Sequence, residues 1–203
     1  LLVTLQFSDL KMISPDGIPK CLDKRANGFS RSEAVVCIFL QKAKNAKRIY
    51  ATMVNSMSTA DGYKEQGINF PSVNAQRMLM EKIFEDSNID PRTISYVEAH
   101  TTGTQAGDPV EMAAICDVFC KDRKTPLKVG CLKSNMGHSE GSSGLCAIAK
   151  SILIFQTLKL PKNLNFNIPN PNIKGLVDHL IEPVLKLEDF EGDTIPLNCF
   201  GFG

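Results

Sequence analysis

The sequence has no surplus of charge. Lys plus Arg number 23 and Asp plus Glu 22, a formal net of +1. Nothing in that balance drives nonspecific attachment to nucleic acid or to an anionic membrane. Long hydrophobic runs are also missing. The longest apolar stretch, Leu145 to Phe155, is interrupted by Lys150 and Ser151 and falls short of the roughly 18 residues that span a bilayer. Nothing at the start of the given sequence looks like a signal peptide. No C-x-x-C pair occurs among the seven cysteines, which argues against a zinc site. Their odd number and scatter point to a reducing, cytosolic setting. Disorder is excluded by the share of hydrophobic residues, 43% of 203.

What is present reads as an ordinary α/β chain with enough length to bury a core. Glu33 to Leu40 is a short, Val- and Ile-rich apolar run and predicts a buried strand. Ile49 to Met57 predicts a second. A helix should follow from Ser72, with Leu79 and Ile83, and Met80 and Phe84, as i,i+4 pairs. Ile94 to Glu98 reads as a strand. Asp108, Pro109 and Glu111 read as an N-cap, first helical residue and capping box. Met112, Ile115, Cys116 and Phe119 then share one helical face. Leu127 to Leu132 predicts another strand. Ser143 to Leu158 is a helix apolar nearly all round, expected to be buried on every side. Residues 162–175 read as an irregular surface loop, and 181–187 with 194–200 as a terminal strand pair. Alternating strands and helices argue for a layered α/β fold.

Three segments end a strand and open a polar, Gly-rich turn, the places where α/β folds build sites. The first runs from Glu98 to Asp108 and contains His100, Thr102 and Thr104. The second, Lys133 to Gly144, puts Lys133, His138 and Glu140 beside an apolar helix, where unpaired charge is costly. The third, Asn198 to Gly203, sets glycines beside Phe200 and Phe202, so that backbone can approach a ligand walled by rings. Each taken alone is equally a surface histidine, a solvated ion pair and a plain strand exit. Gly137-His-Ser-Glu-Gly141 also fits G-x-S-x-G, the nucleophile elbow of serine hydrolases, with Ser139 as nucleophile. That reading needs a strand directly before the serine and Asp and His partners downstream. Asp178 and His179 are adjacent, so their side chains diverge.

In combination the segments are far more specific. Glu-Ala-His-x-Thr-Gly-Thr-x-x-Gly-Asp-Pro, then Lys-Ser-Asn-Met-Gly-His-x-Glu, then Phe-Gly-Phe-Gly, in that order, resembles the β-ketoacyl synthase family of condensing enzymes. Asp61 to Pro71 and Leu160 to Leu164 are most similar to the ketosynthase domain of animal-type fatty acid synthase, and Asn27 to Glu33 to the segment before the second half of such domains. The resemblance implies a thiolase-like fold of α-β-α-β-α layers, present here mostly as its C-terminal half. Residues 1–48 would be the tail of the N-terminal half and 49–203 the C-terminal half.

The resemblance also implies roles. His100 and His138 would be the two catalytic histidines, with Lys133 behind them and Glu140 and Asp108 as its anionic partners; Asp108 could equally be only a helix cap. Thr102 and Thr104 would hold the pantetheine arm. Phe202 would supply an oxyanion-hole N–H and gate the acyl pocket, with Phe200 as a neighbouring wall. The implied partner is an acyl carrier protein bearing phosphopantetheine, with no cofactor held by this region and NADPH used only by other domains of the parent. A homodimer in the parent, no nucleic acid, no membrane and a cytoplasmic location are implied likewise. Two departures stand out. Thr101 replaces the family's usual Gly after the first histidine, which would strain the turn if that position needs a positive φ. The family's reactive cysteine has no match, so the chain is expected to be a fragment beginning after the nucleophile, and inactive alone. Two other readings remain at this point: a non-catalytic ketosynthase-like scaffold, and a polyketide ketosynthase.

Overall fold

The computed structural model describes residues 2–201. After a short helix α1 (Leu2–Asp9) the chain is irregular to residue 72, apart from one 3-10 turn at Ala43–Asn45. Regular structure then begins with α2 (Val73–Ser87). Ser72 caps it, its hydroxyl accepting from the Ala75 N–H, and Asn88 closes it in the left-handed conformation at φ 52°. Gln76, Met80 and Phe84 form its buried stripe. A three-residue strand, β1 (Tyr96–Glu98), leads to α3 (Gly107–Phe119), and β2 (Leu127–Gly130) follows. The remaining elements are α4 (Lys133–Met136), α5 (Ser143–Thr157), β3 (Lys159–Leu160), α6 (Lys174–Val177), β4 (Ile181–Pro183) and β5 (Glu188–Asp189).

The central sheet is parallel in the order β1-β2-β4, with Tyr96 opposite Lys128 and Leu127 opposite Ile181. Alternation along β1 sorts its side chains between two layers. Val97 faces the main core with Met80, Phe84, Met112, Ile115 and Phe119 of α2 and α3. Tyr96 faces the other way, into a second core with Ile154 of α5 and Phe190. Gly130 of β2 makes this possible, because a Cβ there would meet the Tyr96 phenol oxygen at 1.8 Å. The layers are therefore helix, sheet, helix, and the two histidine segments leave the same ends of neighbouring strands. Each fully buried Phe or Ile in these cores contributes roughly 1.5–3 kcal/mol.

Several expectations are corrected. Residues 33–40 and 49–57 are not strands. Exposure alternates along 32–39 with a period of two, as in a strand, but no strand partner meets it among the described residues. Val35 is 94% and Phe39 86% exposed, and Cys37, expected mid-strand, is exposed too. Helix α5 is not buried on every side. Cys146, Ala147, Lys150 and Ile154 face inward, while Leu153 is 58% exposed beside an open groove of about 1150 Å³. The C-terminal strand pair does not form. Residues 181–183 join the sheet beside β2, and Leu197 bridges the opposite edge, parallel to Glu98. β5 instead pairs antiparallel with β3. The loop expected at 162–175 is irregular only as far as residue 173, where it gives way to α6, and it buries Asn163, Asn170 and Ile173. Among the described residues no helix is long and apolar enough to cross a membrane.

Candidate active site

His100 and His138 come from different crossover turns, and the fold brings them together. Their ring centroids are 5.4 Å apart and the planes meet edge to face at 83°. His100 follows β1, His138 follows α4, and both rings contact further aromatics: Phe200 at 5.8 Å for His100 and Phe29 at 5.3 Å for His138.

The protonation of both rings is set by the main chain. The Phe200 N–H donates to His100 Nδ1 at 3.2 Å. The Glu140 N–H donates to His138 Nδ1, also at 3.2 Å. A backbone N–H can only donate, so each Nδ1 is an acceptor and each neutral ring carries its proton on Nε2. Both rings are held neutral. Burial lowers the His100 pKa well below the usual 6.5, and the charges of Lys133 and His138 add to the effect. Burial, then Lys133 and Arg31, lower His138 to about 4. The pair presents two uncharged imidazole donors at neutral pH.

The turn after β1 is fixed by two buried carboxylates of α3. Glu111 accepts from the His100 N–H at 2.7 Å, the Thr101 N–H at 2.6 Å and the Asn198 side chain at 2.9 Å. Asp108 accepts from the N–H groups of Leu22, Thr102, Gly103 and Thr104. Neither residue makes the capping box expected from sequence. The helical Gly107 N–H goes to the Thr104 hydroxyl at 3.1 Å, and Asp108 lies inside the first turn, its oxygens aimed back at the loop. Burial pushes Asp108 up to about 6 against the pull of the Leu22, Thr104 and Gly103 N–H groups. It raises Glu111 as well, against the pull of Asn198 and the turn's N–H groups. Thr101 carries no positive φ; that conformation falls on Gly103, at φ 80°. The feared strain at Thr101 is absent.

Lys133 opens α4 and is buried. Its expected pairs with Glu140 and Asp108 do not form. Glu140 is paired with Arg31 at 3.2 Å, and Asp108 is engaged by backbone donors as described. Thr102 and Thr104 are half-buried, their hydroxyl oxygens 3.5 Å apart. Phe200 stands beside His100, whereas Phe202 lies outside the described residues.

Sequence reasoning missed a buried group behind both turns. Glu98, two residues before His100, accepts from the Leu132 N–H at 2.7 Å and from the Tyr96 hydroxyl at 2.5 Å, and it is ion-paired with Lys150 of α5 at 2.6 Å. It ties the His100 strand, the Lys133 turn and α5 together. The signal was there: a strand places Glu98 and His100 on one face, and Lys150 was the lone cation in an apolar helix. Arg31, within the Asn27 to Glu33 segment, is a second such missed residue, paired with Glu140.

The serine-hydrolase reading fails on geometry. Ser139 is preceded by α4 and Gly137, not by a strand. Its hydroxyl sits 3.7 Å from the Cys146 sulfur, while Asp178 pairs with Lys174 and His179 is exposed. Among the described residues no cluster of three or more His, Cys, Asp or Glu side chains is placed to hold a metal ion.

The two neutral imidazoles thus meet where the turns that follow β1 and β2 converge. The chain belongs to the β-ketoacyl synthase family: residues 50–167 match its C-terminal domain, and the fold is the thiolase-like α/β fold of ketosynthases, with a partial sheet. More particularly, the chain is 50% identical over 150 residues to a fatty acid synthase of the goose Anser anser anser, covering 74% of this chain and 43% of that protein. A highly reducing polyketide synthase of Fusarium pseudograminearum is 37% identical over 203 residues, 97% of this chain and 8% of that one. The ketosynthase from module 6 of the bacillaene synthase of Bacillus subtilis 168 superimposes with a TM-score of 0.83 at 30% identity, covering 95% of this chain and 36% of that chain. The chain thus spans less than half the length of each of these relatives.

Proposed function

We propose that this chain supplies the decarboxylating part of a β-ketoacyl-carrier-protein synthase of the fatty acid synthase type. The observation that carries the reading is the pair of edge-to-face imidazoles, each with Nδ1 occupied by a backbone N–H and Nε2–H left to donate. Loss of carbon dioxide from a malonyl thioester leaves an enolate with its charge on the thioester oxygen. Two preorganised neutral donors stabilise that charge without an opposing proton transfer. The nascent carbanion then attacks an acyl thioester, forming the new carbon–carbon bond and releasing the acyl group's thiolate.

In this reading His100 and His138 are the catalytic donors. The Lys133 ammonium helps keep both rings uncharged. Thr102 and Thr104 receive the pantetheine arm of a carrier protein, and Phe200, beside His100, walls the acyl side. The acyl nucleophile would come from chain outside these 203 residues, with residues 1–48 belonging to the first half of the domain and 49–203 to the second. The partner is an acyl carrier protein domain in a dimeric, cytoplasmic multienzyme. Fatty acid rather than polyketide synthesis is favoured by the 50% identity to the goose protein against 37% for the Fusarium one.

The test is His138→Ala in the full-length natural protein, with acyl transfer and release of labelled carbon dioxide from malonyl thioester measured separately. Acyl transfer should persist and decarboxylation should fall by roughly 10²–10³. Release at the normal rate refutes the role. The isolated 203 residues should show no condensation, and measurable turnover by them would refute the placement of the nucleophile elsewhere.

A further inference from the structure

His138 is held by a stretch of chain that the functional reading leaves idle. Residues 29–32 run parallel to the His138 turn and make a one-residue bridge with it. The His138 N–H donates to the Ser30 carbonyl at 2.6 Å, and the Ser32 N–H donates to the His138 carbonyl at 3.0 Å. The Phe29 ring meets the imidazole edge to face. Gly137 lets the two segments approach so closely: it has φ 80°, and a Cβ there would lie 2.9 Å from the Ser30 carbonyl oxygen. Backbone and ring thus hold His138 from one side.

The other side of the ring depends on Glu140. Its N–H occupies His138 Nδ1 with Glu140 at φ 49°, a left-handed conformation that is uncommon for a residue with a Cβ. The Glu140 side chain is held. Its carboxylate pairs with the Arg31 guanidinium at 3.2 Å, both side chains being about two-thirds buried. The cation comes from the same short segment that grips the His138 backbone.

We propose that Arg31 is a positioning residue for His138: by anchoring the Glu140 carboxylate it fixes the backbone turn whose N–H orients the His138 ring. The proposal rests on the decarboxylase role given to His138 above. It makes Arg31 and Glu140 a unit whose worth lies in the direction of one N–H bond, since neither side chain is placed on the reacting atoms. The charged and titratable groups around the ring are Lys133 on α4, His100 across the site, Glu140 on the same turn and Arg31 from the facing segment. Loss of Arg31 removes one of the two cations that keep the ring neutral, so the acid limb of activity should move to higher pH.

The experiment compares Arg31→Gln, Arg31→Lys, Glu140→Gln and the exchanged pair Arg31→Glu with Glu140→Arg in the full-length natural protein, with His138→Ala as reference. Decarboxylation of malonyl thioester, acyl transfer and the pH profile of the decarboxylation are measured. Arg31→Gln and Glu140→Gln should each lower kcat for decarboxylation about tenfold, as expected for a displaced donor, with KM and acyl transfer near the parent values. Arg31→Lys and the exchanged pair should recover part of that loss. The proposal is overturned if both Gln variants decarboxylate normally while His138→Ala does not. It is equally overturned if both lose acyl transfer and decarboxylation in parallel, or if neither rescue variant recovers activity. Should Arg31→Gln not fold, Glu140→Gln alone decides by the same criteria. If His138→Ala itself decarboxylates normally, it is the underlying functional reading that has failed.

Discussion

The two histidine turns are built to the same end by opposite means. The His100 turn is fixed by charge from within: Glu111 and Asp108, both fully buried on α3, absorb six backbone N–H groups between them. The His138 turn has no buried carboxylate of its own. It is gripped by a neighbouring segment through main-chain bonds, an aromatic ring and an ion pair about one-third exposed. The first arrangement is a matter of folding stability, since a buried N–H without its acceptor is expensive. The second can be loosened locally. The difference says that His100 should be hard to disturb without unfolding the domain, whereas His138 should be tunable.

The comparison can be broken most directly at the rings. His100→Ala and His138→Ala should each lower decarboxylation by roughly 10²–10³; a tenfold inequality between them in the rate of carbon dioxide release would show that one donor dominates. Next in size is Glu98→Ala, which strands the Lys150 ammonium in the core and should cost about 3–5 kcal/mol, seen as a large fall in the melting temperature of the domain. Glu111→Ala, by orphaning the His100 and Thr101 N–H groups, should cost about 1–3 kcal/mol per group. Arg31→Gln should leave the melting temperature nearly unchanged, because partly exposed pairs contribute about 0–1 kcal/mol. Equal melting losses for Glu111→Ala and Arg31→Gln would erase the contrast between the turns.

Acidification provides a smaller effect. Both histidines have folded pKa values below the unfolded value of about 6.5, His138 at about 4. Between those values the unfolded chain binds more protons than the folded one. Stability contributed by the neutral rings is therefore complete above about pH 6.5 and declines as pH falls toward 4. Carbon dioxide release, corrected for unfolding, should keep its rate well below pH 6.5; an acid limb centred at the ordinary imidazole value would contradict the neutral, buried pair. The smallest effect is expected at Ser139. Ser139→Ala should retain activity, and a fluorophosphonate probe should leave the natural protein unlabelled at that residue.

Local signals in the sequence were reliable where structure is decided locally. Ser72 and Asn88 bound α2 as capping chemistry requires, and the Met112, Ile115, Phe119 stripe faces the core. The proximity of His100 and His138 was reached through family resemblance, since nothing in spacing says that two turns 38 residues apart converge. The errors share one cause, the choice of partner. Asp108 and Glu111 looked like a cap for their own helix, yet they serve the preceding loop and a distant Leu22. Glu140 looked like a partner for Lys133 seven residues away and instead met Arg31, more than a hundred residues upstream. Residues 33–40 have the composition of a strand, but a strand also needs a neighbour to bond to, and composition does not supply one.

One consequence follows from the donors at Nδ1. Because both are peptide groups, no change of side chain at 140 or 200 removes the hydrogen itself, and at 140 the side chain acts only on where that N–H points. Only an imino acid lacks the hydrogen, so proline at 140 or 200 is the sole replacement that would, by covalent structure, free a ring to choose its other tautomer.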